Sequence, residues 1–122
     1  MRGKDIYLCE SCGNEVEMLK DAGNVPLCCG SAMQRMEEKQ KDSGQEKHLP
    51  FVEGEYVQIG EVIHPMEEKH YIEWVEFIGE NGFSLKKFFN PGEVPRVKIP
   101  KDFKIIKIRA YCNLHGLWSL EV

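Results

Sequence analysis

Residues 104–112 read Lys-Ile-Ile-Lys-Ile-Arg-Ala-Tyr-Cys, and the alternation in this stretch decides the fold. In an extended chain one face would carry these apolar or sulfur-containing side chains: Ile106, Ile108, Ala110 and Cys112. Lys107 and Arg109 would point to the other face. A period of two over this length predicts a β-strand with one face toward a core, ending on a cysteine.

Short β-rich runs of the same kind follow one another from residue 46 onward, with turn residues between them. The candidate strands are residues 55–62, 71–78, 83–89, 94–99, 103–111 and 117–122. Asn81-Gly82 is a strong hairpin signal, because both central residues of a type I′ turn need positive φ. About seven short strands without helical periodicity predict an antiparallel β-sandwich of immunoglobulin-like type, although the Cys-Trp-Cys hallmark of true immunoglobulin domains is absent.

The first 36 residues are rich in Cys and Gly and poor in large apolar side chains. A segment shorter than about 40 residues rarely buries enough core to fold without a disulfide or a metal, so residues 1–36 are predicted to be a metal-bound module. Residues 37–45, Glu-Glu-Lys-Gln-Lys-Asp-Ser-Gly-Gln, are polar and unpatterned and predict a solvated linker. Residues 46–122 remain as the sandwich domain.

Charge and cysteine usage exclude several classes of protein. The chain has 16 basic and 20 acidic residues and no basic stripe, which argues against a nucleic-acid partner. No apolar run is long enough for a secretory signal or for the roughly 18 residues of a spanning helix, so we expect a cytoplasmic protein with no membrane partner. Five cysteines, an odd number, fit a disulfide framework poorly, and in a reducing compartment CxxC spacings more often hold metal.

Four of the cysteines form a CxxC…CC set: Cys9, Cys12, Cys28 and Cys29. Such a set can close a tetrahedral shell of four sulfurs, which suits zinc or a single iron, and the spacing alone favours neither. Four thiolates saturate the metal. The ion can therefore hold the fold or carry one electron, but it cannot easily bind a substrate.

The four histidines and the fifth cysteine form a second candidate site. His64 and His70 are six residues apart, Cys112 and His115 have a CxxH spacing, and His48 stands at the end of the linker. A lone histidine is more often a structural residue than a ligand, but these neighbours favour a shared metal. Five protein ligands on an octahedral metal leave one open position, where chemistry can take place.

Three separated motifs follow one another along the chain: Glu-Lys-His-x-Pro at 46–50, His-Pro-Met-x-x-x-His-Tyr-Ile-x-Trp at 64–74 and Cys-Asn-x-His-Gly-x-Trp at 112–118. In this order they resemble superoxide reductase. Together with the CxxC…CC set they resemble the two-iron form of that family, desulfoferrodoxin. The resemblance covers essentially the whole chain.

The resemblance implies two iron ions per chain, with zinc also possible at the four-cysteine site. The catalytic iron would have an axial thiolate from Cys112 and an open sixth position. Its four equatorial nitrogens would come from His48, His64, His70 and His115. Glu46 and Lys47 would lie on a mobile loop beside the open position. The Glu46 carboxylate can then occupy the ferric iron, while Lys47 attracts superoxide and helps protonation.

The implied reaction is the one-electron reduction of superoxide to hydrogen peroxide, with electrons from an external, rubredoxin-like donor. The family also implies a homodimer. The alternatives are a non-enzymatic two-iron electron carrier, a structural zinc module and a mononuclear-iron oxygenase, although the oxygenase would need two histidines and a carboxylate. Trp74 and Trp118 are expected to be core or rim residues that shield the site.

Overall fold

The computed structural model describes residues 5–42 and 47–122, which form strands, turns and loops without a helix. The mainly β fold expected from the sequence is therefore confirmed. Contacts divide the chain into two compact units, Met1–Glu37 and Glu38–Val122. Within the described ranges, no helix is long and apolar enough to cross a membrane.

In residues 5–37 the first unit has five short strands: β1 (Asp5–Leu8), β2 (Glu15–Met18), β3 (Leu27–Cys28), β4 (Ser31–Ala32) and β5 (Gln34–Arg35). Strand β1 lies between β2 and β5 in one antiparallel sheet, and β3 pairs with β4 in a two-stranded ribbon. Strands this short show no readable period, so the sequence did not predict them. Tyr7, Cys9 and Met33 form the buried cluster of this unit.

The described part of the second unit contains seven strands: β6 (Pro50–Glu53), β7 (Tyr56–Ile59), β8 (Ile72–Gly79), β9 (Ser84–Phe88), β10 (Arg96–Lys98), β11 (Ile105–Cys112) and β12 (Gly116–Glu121). They form a three-stranded sheet in the order β10-β7-β6 and a four-stranded sheet in the order β12-β11-β8-β9, and every pairing is antiparallel. All six predicted strands are present with shifted ends. Strand β6 was missed because it begins at a proline and spans four residues.

Apolar side chains from both sheets pack together in the core of the second unit. Val57 and Ile59 come from the three-stranded sheet, and Phe77, Ile108 and Ala110 come from the four-stranded sheet. All five are at most 1% exposed. This packing produces the predicted sandwich.

One detail of the predicted β11 pattern is wrong. The register of β11 against β8 shifts between Ile105 and Lys107, which marks a β-bulge. A bulge inserts one extra residue and so shifts the alternation of faces by one position. Ile105 therefore packs against the core instead of Ile106, whereas Ile108 lies in the core as expected.

A buried ion pair fills the opposite face of the four-stranded sheet. The Arg109 guanidinium donates to Glu76 Oε1 through Nε at 2.7 Å, and Nη2 lies 2.6 Å from the same oxygen. Lys86 and Ser84 donate to Glu76 Oε2 at 2.8 and 2.6 Å. Burial alone would raise the pKa of Glu76, but the charges of Arg109 and Lys86 outweigh burial and hold it below its ordinary value.

The hairpin predicted at Asn81-Gly82 is confirmed, but its turn type is wrong. Gly79 N–H donates to Phe83 O at 2.7 Å, so three residues, 80–82, lie between the two residues that close the hairpin. Gly82 has φ of 83°, whereas Cys29 is the only non-glycine with positive φ in the described part of the chain. Asn81 therefore does not have positive φ. This fits a three-residue hairpin loop, in which only the glycine is left-handed.

Candidate metal centres

The four N-terminal cysteines meet in one cluster. The sulfur atoms of Cys9, Cys12, Cys28 and Cys29 all lie within 4.8 Å of one another. Cys12 Sγ lies 3.6 Å from Cys28 Sγ, and Cys28 Sγ lies 3.9 Å from Cys29 Sγ. None of them forms a disulfide. The arrangement has the donor number and donor type of a tetrahedral four-sulfur site.

Two tight turns bring these sulfurs together. Gly13 N–H donates to Cys9 O at 2.8 Å, which closes the CxxC loop. In the second turn, Cys28 pairs with Ser31, and Cys29 and Gly30 have φ of 53° and 75°. Two left-handed central residues are the pattern of a type I′ hairpin, so the chain reverses direction at Cys29 and Gly30, between Cys28 and Ser31. The strained Cys29 conformation costs on the order of 1 kcal/mol.

Crowding opposes ionisation of all four thiols together. The backbone N–H of Cys12 is the main cause that lowers the pKa of Cys9 to about 7. Hydrogen bonding with neighbouring thiols, that of Cys12 first, raises the pKa of Cys29 to about 12. A cation at the centre would offset the repulsion among four thiolates, so the cluster suits a thiophilic metal.

The second cluster contains the four histidines and Cys112. Donor atoms of His48, His64, His70 and Cys112 lie within 4.8 Å of one another. His115 joins them, because its Nδ1 lies 3.1 Å from His48 Nε2 and 3.7 Å from Cys112 Sγ. The structure therefore brings together all five side chains that the sequence analysis placed at this site.

The imidazoles form a closed square. Ring centroids are 4.9 Å apart for His48 and His64, 4.8 Å for His64 and His70, 5.2 Å for His70 and His115, and 4.8 Å for His48 and His115. Cys112 Sγ lies 3.6 Å from His64 Nε2 and 3.7 Å from His115 Nδ1. Those two rings occupy opposite corners of the square, so the sulfur lies almost equally far from both.

These five side chains lie at one end of the second unit, where strands stop and loops begin. His48 precedes β6, and His64 and His70 lie in the β7–β8 connection. Cys112 ends β11, and His115 lies in the turn before β12. Cys112 is fully buried, and His64 and His48 are 2% and 6% exposed. The packed sheets thus fix the positions from which the ligand loops start.

Hydrogen-bonding groups behind the rings orient them. His64 Nδ1 lies 2.7 Å from Pro65 O, so the Nδ1–H tautomer leaves Nε2 toward the cluster. Four imidazoles and one thiolate suit iron, whereas zinc in protein sites is almost always four-coordinate. The donor set therefore fits a six-coordinate iron with one position for an exogenous ligand.

Trp118 covers one side of the histidine square. Its ring stacks on His48 with centroids 4.5 Å apart and an interplanar angle of 9°. Its Nε1–H donates to His115 O at 3.2 Å. Trp74 stacks on Tyr111 with ring centroids 5.9 Å apart, and both tryptophans are buried. Trp118 thus shields the site on the His48 side.

The two predicted substrate-loop residues differ in what the structure describes. Glu46 lies outside the described residues. Lys47 is half-buried, and its side chain lines a surface cavity with Phe51 and Glu61. A Cβ at Gly60, where φ is +85°, would lie 2.7 Å from Lys47 O. Glycine at position 60 is therefore required for the close approach of the Lys47 backbone.

Two protein-family models match the chain. The model described as "Desulfoferrodoxin, N-terminal domain" matches residues 1–36, and that described as "Desulfoferrodoxin" matches residues 40–121. The chain belongs to the desulfoferrodoxin family. The two matches together include both clusters.

Whole-length relatives agree with this assignment. The desulfoferrodoxin of Nitratidesulfovibrio vulgaris is 45% identical, and that of Syntrophotalea carbinolica is 44% identical. Each alignment covers 96% of this chain and 95% of the relative. The crystal structure of superoxide reductase from Treponema pallidum matches with a TM-score of 0.79 and 27% identity, covering 99% of this chain and 100% of that one.

Sequence reasoning missed two polar residues that contact the ligand loops of this desulfoferrodoxin-family chain. Asp42 accepts hydrogen bonds from the His48 and Leu49 amides, and Lys39 donates to His115 O. Both residues lie in the segment expected to be a solvated linker. Contacts instead place residues 38–42 in the second unit. A run without periodicity carries no signal that would have identified them.

Proposed function

We propose that this protein is a superoxide reductase, which reduces superoxide to hydrogen peroxide with electrons from an external donor. The observation that carries the proposal is the square of four imidazoles with the Cys112 sulfur within 3.7 Å of two of them. Five donors of this kind leave one position for a small anion. Membership of the desulfoferrodoxin family supports the same reaction.

We assign the metal ligands accordingly. His48, His64, His70 and His115 would bind iron through their imidazoles, and Cys112 would bind it through its thiolate. Cys9, Cys12, Cys28 and Cys29 would bind the second iron. When bound at the histidine site, ferrous iron would supply the single electron that the reduction needs, and the Cys112 thiolate would favour its donation.

Charge distinguishes the two sites for an anionic substrate. Ferrous iron with four neutral imidazoles and one thiolate would carry +1, whereas ferrous iron with four thiolates would carry −2. Superoxide is attracted by the first and repelled by the second. The Lys47 ammonium adds a positive charge, and two opposite charges about 5 Å apart attract by roughly 3 kcal/mol at an effective dielectric constant near 20.

The reaction requires protons as well as an electron. One superoxide, one electron and two protons give one hydrogen peroxide with its O–O bond intact. We assign Lys47 to attract the anion and to help protonation, with solvent as the proton source. Glu46, by its place in the Glu-Lys-His motif, would occupy the open position after the product leaves.

Partners and compartment complete the proposal. A rubredoxin-like protein would supply the electrons, and the chain would form a homodimer in the cytoplasm. Five cysteines without a disulfide fit a reducing compartment. Strand β9 lies at a sheet edge with Leu85 and Phe88 exposed, so a second chain could pair there.

Pulse radiolysis of the iron-loaded, pre-reduced protein tests the reaction. A reductase should yield one peroxide for each superoxide consumed and oxidise the histidine centre in step. Spontaneous dismutation yields one peroxide for every two superoxides, and zinc-substituted protein should give only that background. If superoxide left the reduced histidine centre unoxidised, the protein would be an electron carrier and the proposal would fail.

A further inference from the structure

Residues 38–42, which we call the strap, form hydrogen bonds and ion pairs with strands β11 and β12 of the second unit. The Glu38 carboxylate accepts from Lys107 at 2.8 Å and lies 3.3 Å from Arg109 Nη1. The Lys39 backbone donates to Leu117 O and accepts from Ser119 N–H, both at 2.9 Å. The strap is therefore fixed to the edge of β12 before it reaches the histidine site.

Asp42 ends the strap against the His48 loop. Its Oδ1 accepts from His48 N–H and its Oδ2 from Leu49 N–H, both at 2.9 Å. Only 10% of the Asp42 side chain is exposed. Its Oδ1 also lies 3.5 Å from His48 Nδ1, which is too long for a firm hydrogen bond. One carboxylate thus fixes two successive amides of the loop that carries His48.

Lys39 reaches the other side of the square. Its Nζ donates to His115 O at 2.9 Å and lies 5.1 Å from the Trp118 ring centroid. Trp118 donates to the same carbonyl and stacks on His48. The strap therefore contacts the loops of two neighbouring imidazoles.

We propose that Asp42 and Lys39 are positioning residues of the histidine centre, with Asp42 holding the His48 loop and Lys39 the His115 loop. This inference deepens the proposed function and relies on its ligand assignment. The competing explanation is that the strap only covers the β12 edge, which would affect stability but not the metal site. Groups outside the ligand set that hold metal ligands in position typically contribute 10- to 100-fold in metal affinity.

The first test is iron release from the full-length, iron-loaded protein to a chelator. Asp42→Ala should release the histidine-site iron about 10- to 100-fold faster. Asp42→Asn should fall between this variant and the wild type, because its single oxygen can accept from only one of the two amides. Asp102→Ala removes an exposed aspartate of the same unit and is the matched control. The four-cysteine iron in the same molecules is an internal reference and should leave at the wild-type rate.

Lys39→Met gives a second, smaller test. It keeps an unbranched apolar side chain beside Trp118 and removes only the ammonium group. One lost hydrogen bond predicts about two- to fivefold faster iron release. Lys41→Met, two residues along and exposed, is the matched control and should match the wild type.

Hydrogen exchange provides a readout that is independent of activity. In Asp42→Ala the amides of His48 and Leu49 should exchange faster, while amides in the centre of β11 keep wild-type rates. Wild-type iron release and amide exchange in Asp42→Ala would overturn the inference, even if the wild type reduces superoxide. Faster release in a protein that does not reduce superoxide would support positioning and defeat the proposed function. If Asp42→Ala does not fold, wild-type release rates in Asp42→Asn and Lys39→Met would overturn the inference.

Discussion

The four-cysteine region carries its sulfurs on two tight turns, in a unit whose buried cluster is Tyr7, Cys9 and Met33. The histidine region carries its donors at the ends of two packed sheets, above a cluster of nine buried residues. In the first region one ligand, Cys9, is among only three buried core residues. In the second, Cys112 is one of nine, so most of that core consists of residues that are not ligands.

This difference indicates what each metal contributes. A small unit organised around thiols depends on its metal for folding free energy. A sandwich with its own core can hold ligands in place for chemistry and leave one position open. The first centre should therefore respond to metal removal by unfolding, and the second by losing activity while its sheets persist.

The largest expected effect comes from the buried ion pair that stabilises only the second unit. Glu76→Gln would leave Arg109 with one buried carboxylate fewer, and removing one partner of a buried pair costs about 3 to 5 kcal/mol. Both tryptophans lie in this unit, so denaturant unfolding followed by fluorescence reports it selectively. Glu80→Gln breaks an exposed pair with Lys104 and should change stability by less than about 1 kcal/mol. An equal effect of the two variants would contradict a special role for the buried pair.

Acid should weaken the same unit. The pKa of Glu76 is lowered in the folded state, so its contribution is complete above the ordinary value of 4.5 and is lost as pH falls through the folded value. We expect the fluorescence-detected stability of the wild type to fall below about pH 4.5. Glu76→Gln should show a shallower fall, and an identical slope would show that other carboxyl groups control acid unfolding.

Next in size is the loss of the Cys112 sulfur. Cys112→Ser removes the anionic ligand proposed for the histidine centre and with it the sulfur-to-iron charge transfer that would colour the ferric state. Residues that only orient metal ligands already change metal affinity or activity by 10- to 100-fold. Loss of a ligand itself should have a larger effect, so we expect the rate of superoxide reduction to fall at least about 100-fold. Absorption of the four-cysteine centre should not change. If the variant kept both its colour and its rate, Cys112 would not be the axial ligand.

A smaller effect is expected for Lys47→Ala, which should slow superoxide capture and leave iron bound. The expected loss is about 10- to 100-fold, equivalent to about 1.4 to 2.7 kcal/mol. The rate should also depend less on salt, because a steering charge has been removed. Lys101→Ala, an exposed lysine paired with Glu55, is the control for a change in net charge. Pulse radiolysis at several ionic strengths would reject the steering role if the variant kept the wild-type rate and salt slope.

The sequence predicted those features whose signal is local. Strand β11 was readable because its alternation extends over several residues, and the histidine site was recognised from three compact motifs. The failures have a common physical cause. Asp42 and Lys39 act through partners 6 and 76 residues away, and Glu38 through a partner 69 residues away, so their short polar run contains no pattern. The Cys29-Gly30 turn was missed because a cysteine rarely adopts positive φ.

The smallest effect on superoxide reduction is expected for Cys12→Ser, which tests the comparison of the four-cysteine and histidine regions most directly. Cys12→Ser should remove the absorption of the four-cysteine iron and loosen the first unit, because the cluster and the small core share Cys9. Four thiolates leave that metal no open position, so with an artificial reductant the bimolecular rate with superoxide should stay within about twofold of wild type, or about 0.4 kcal/mol. Fluorescence of Trp74 and Trp118 should still report a folded second unit. Loss of superoxide reduction with the histidine site fully loaded would show that the first centre takes part in the reaction, and the division of roles between the two regions would then be wrong.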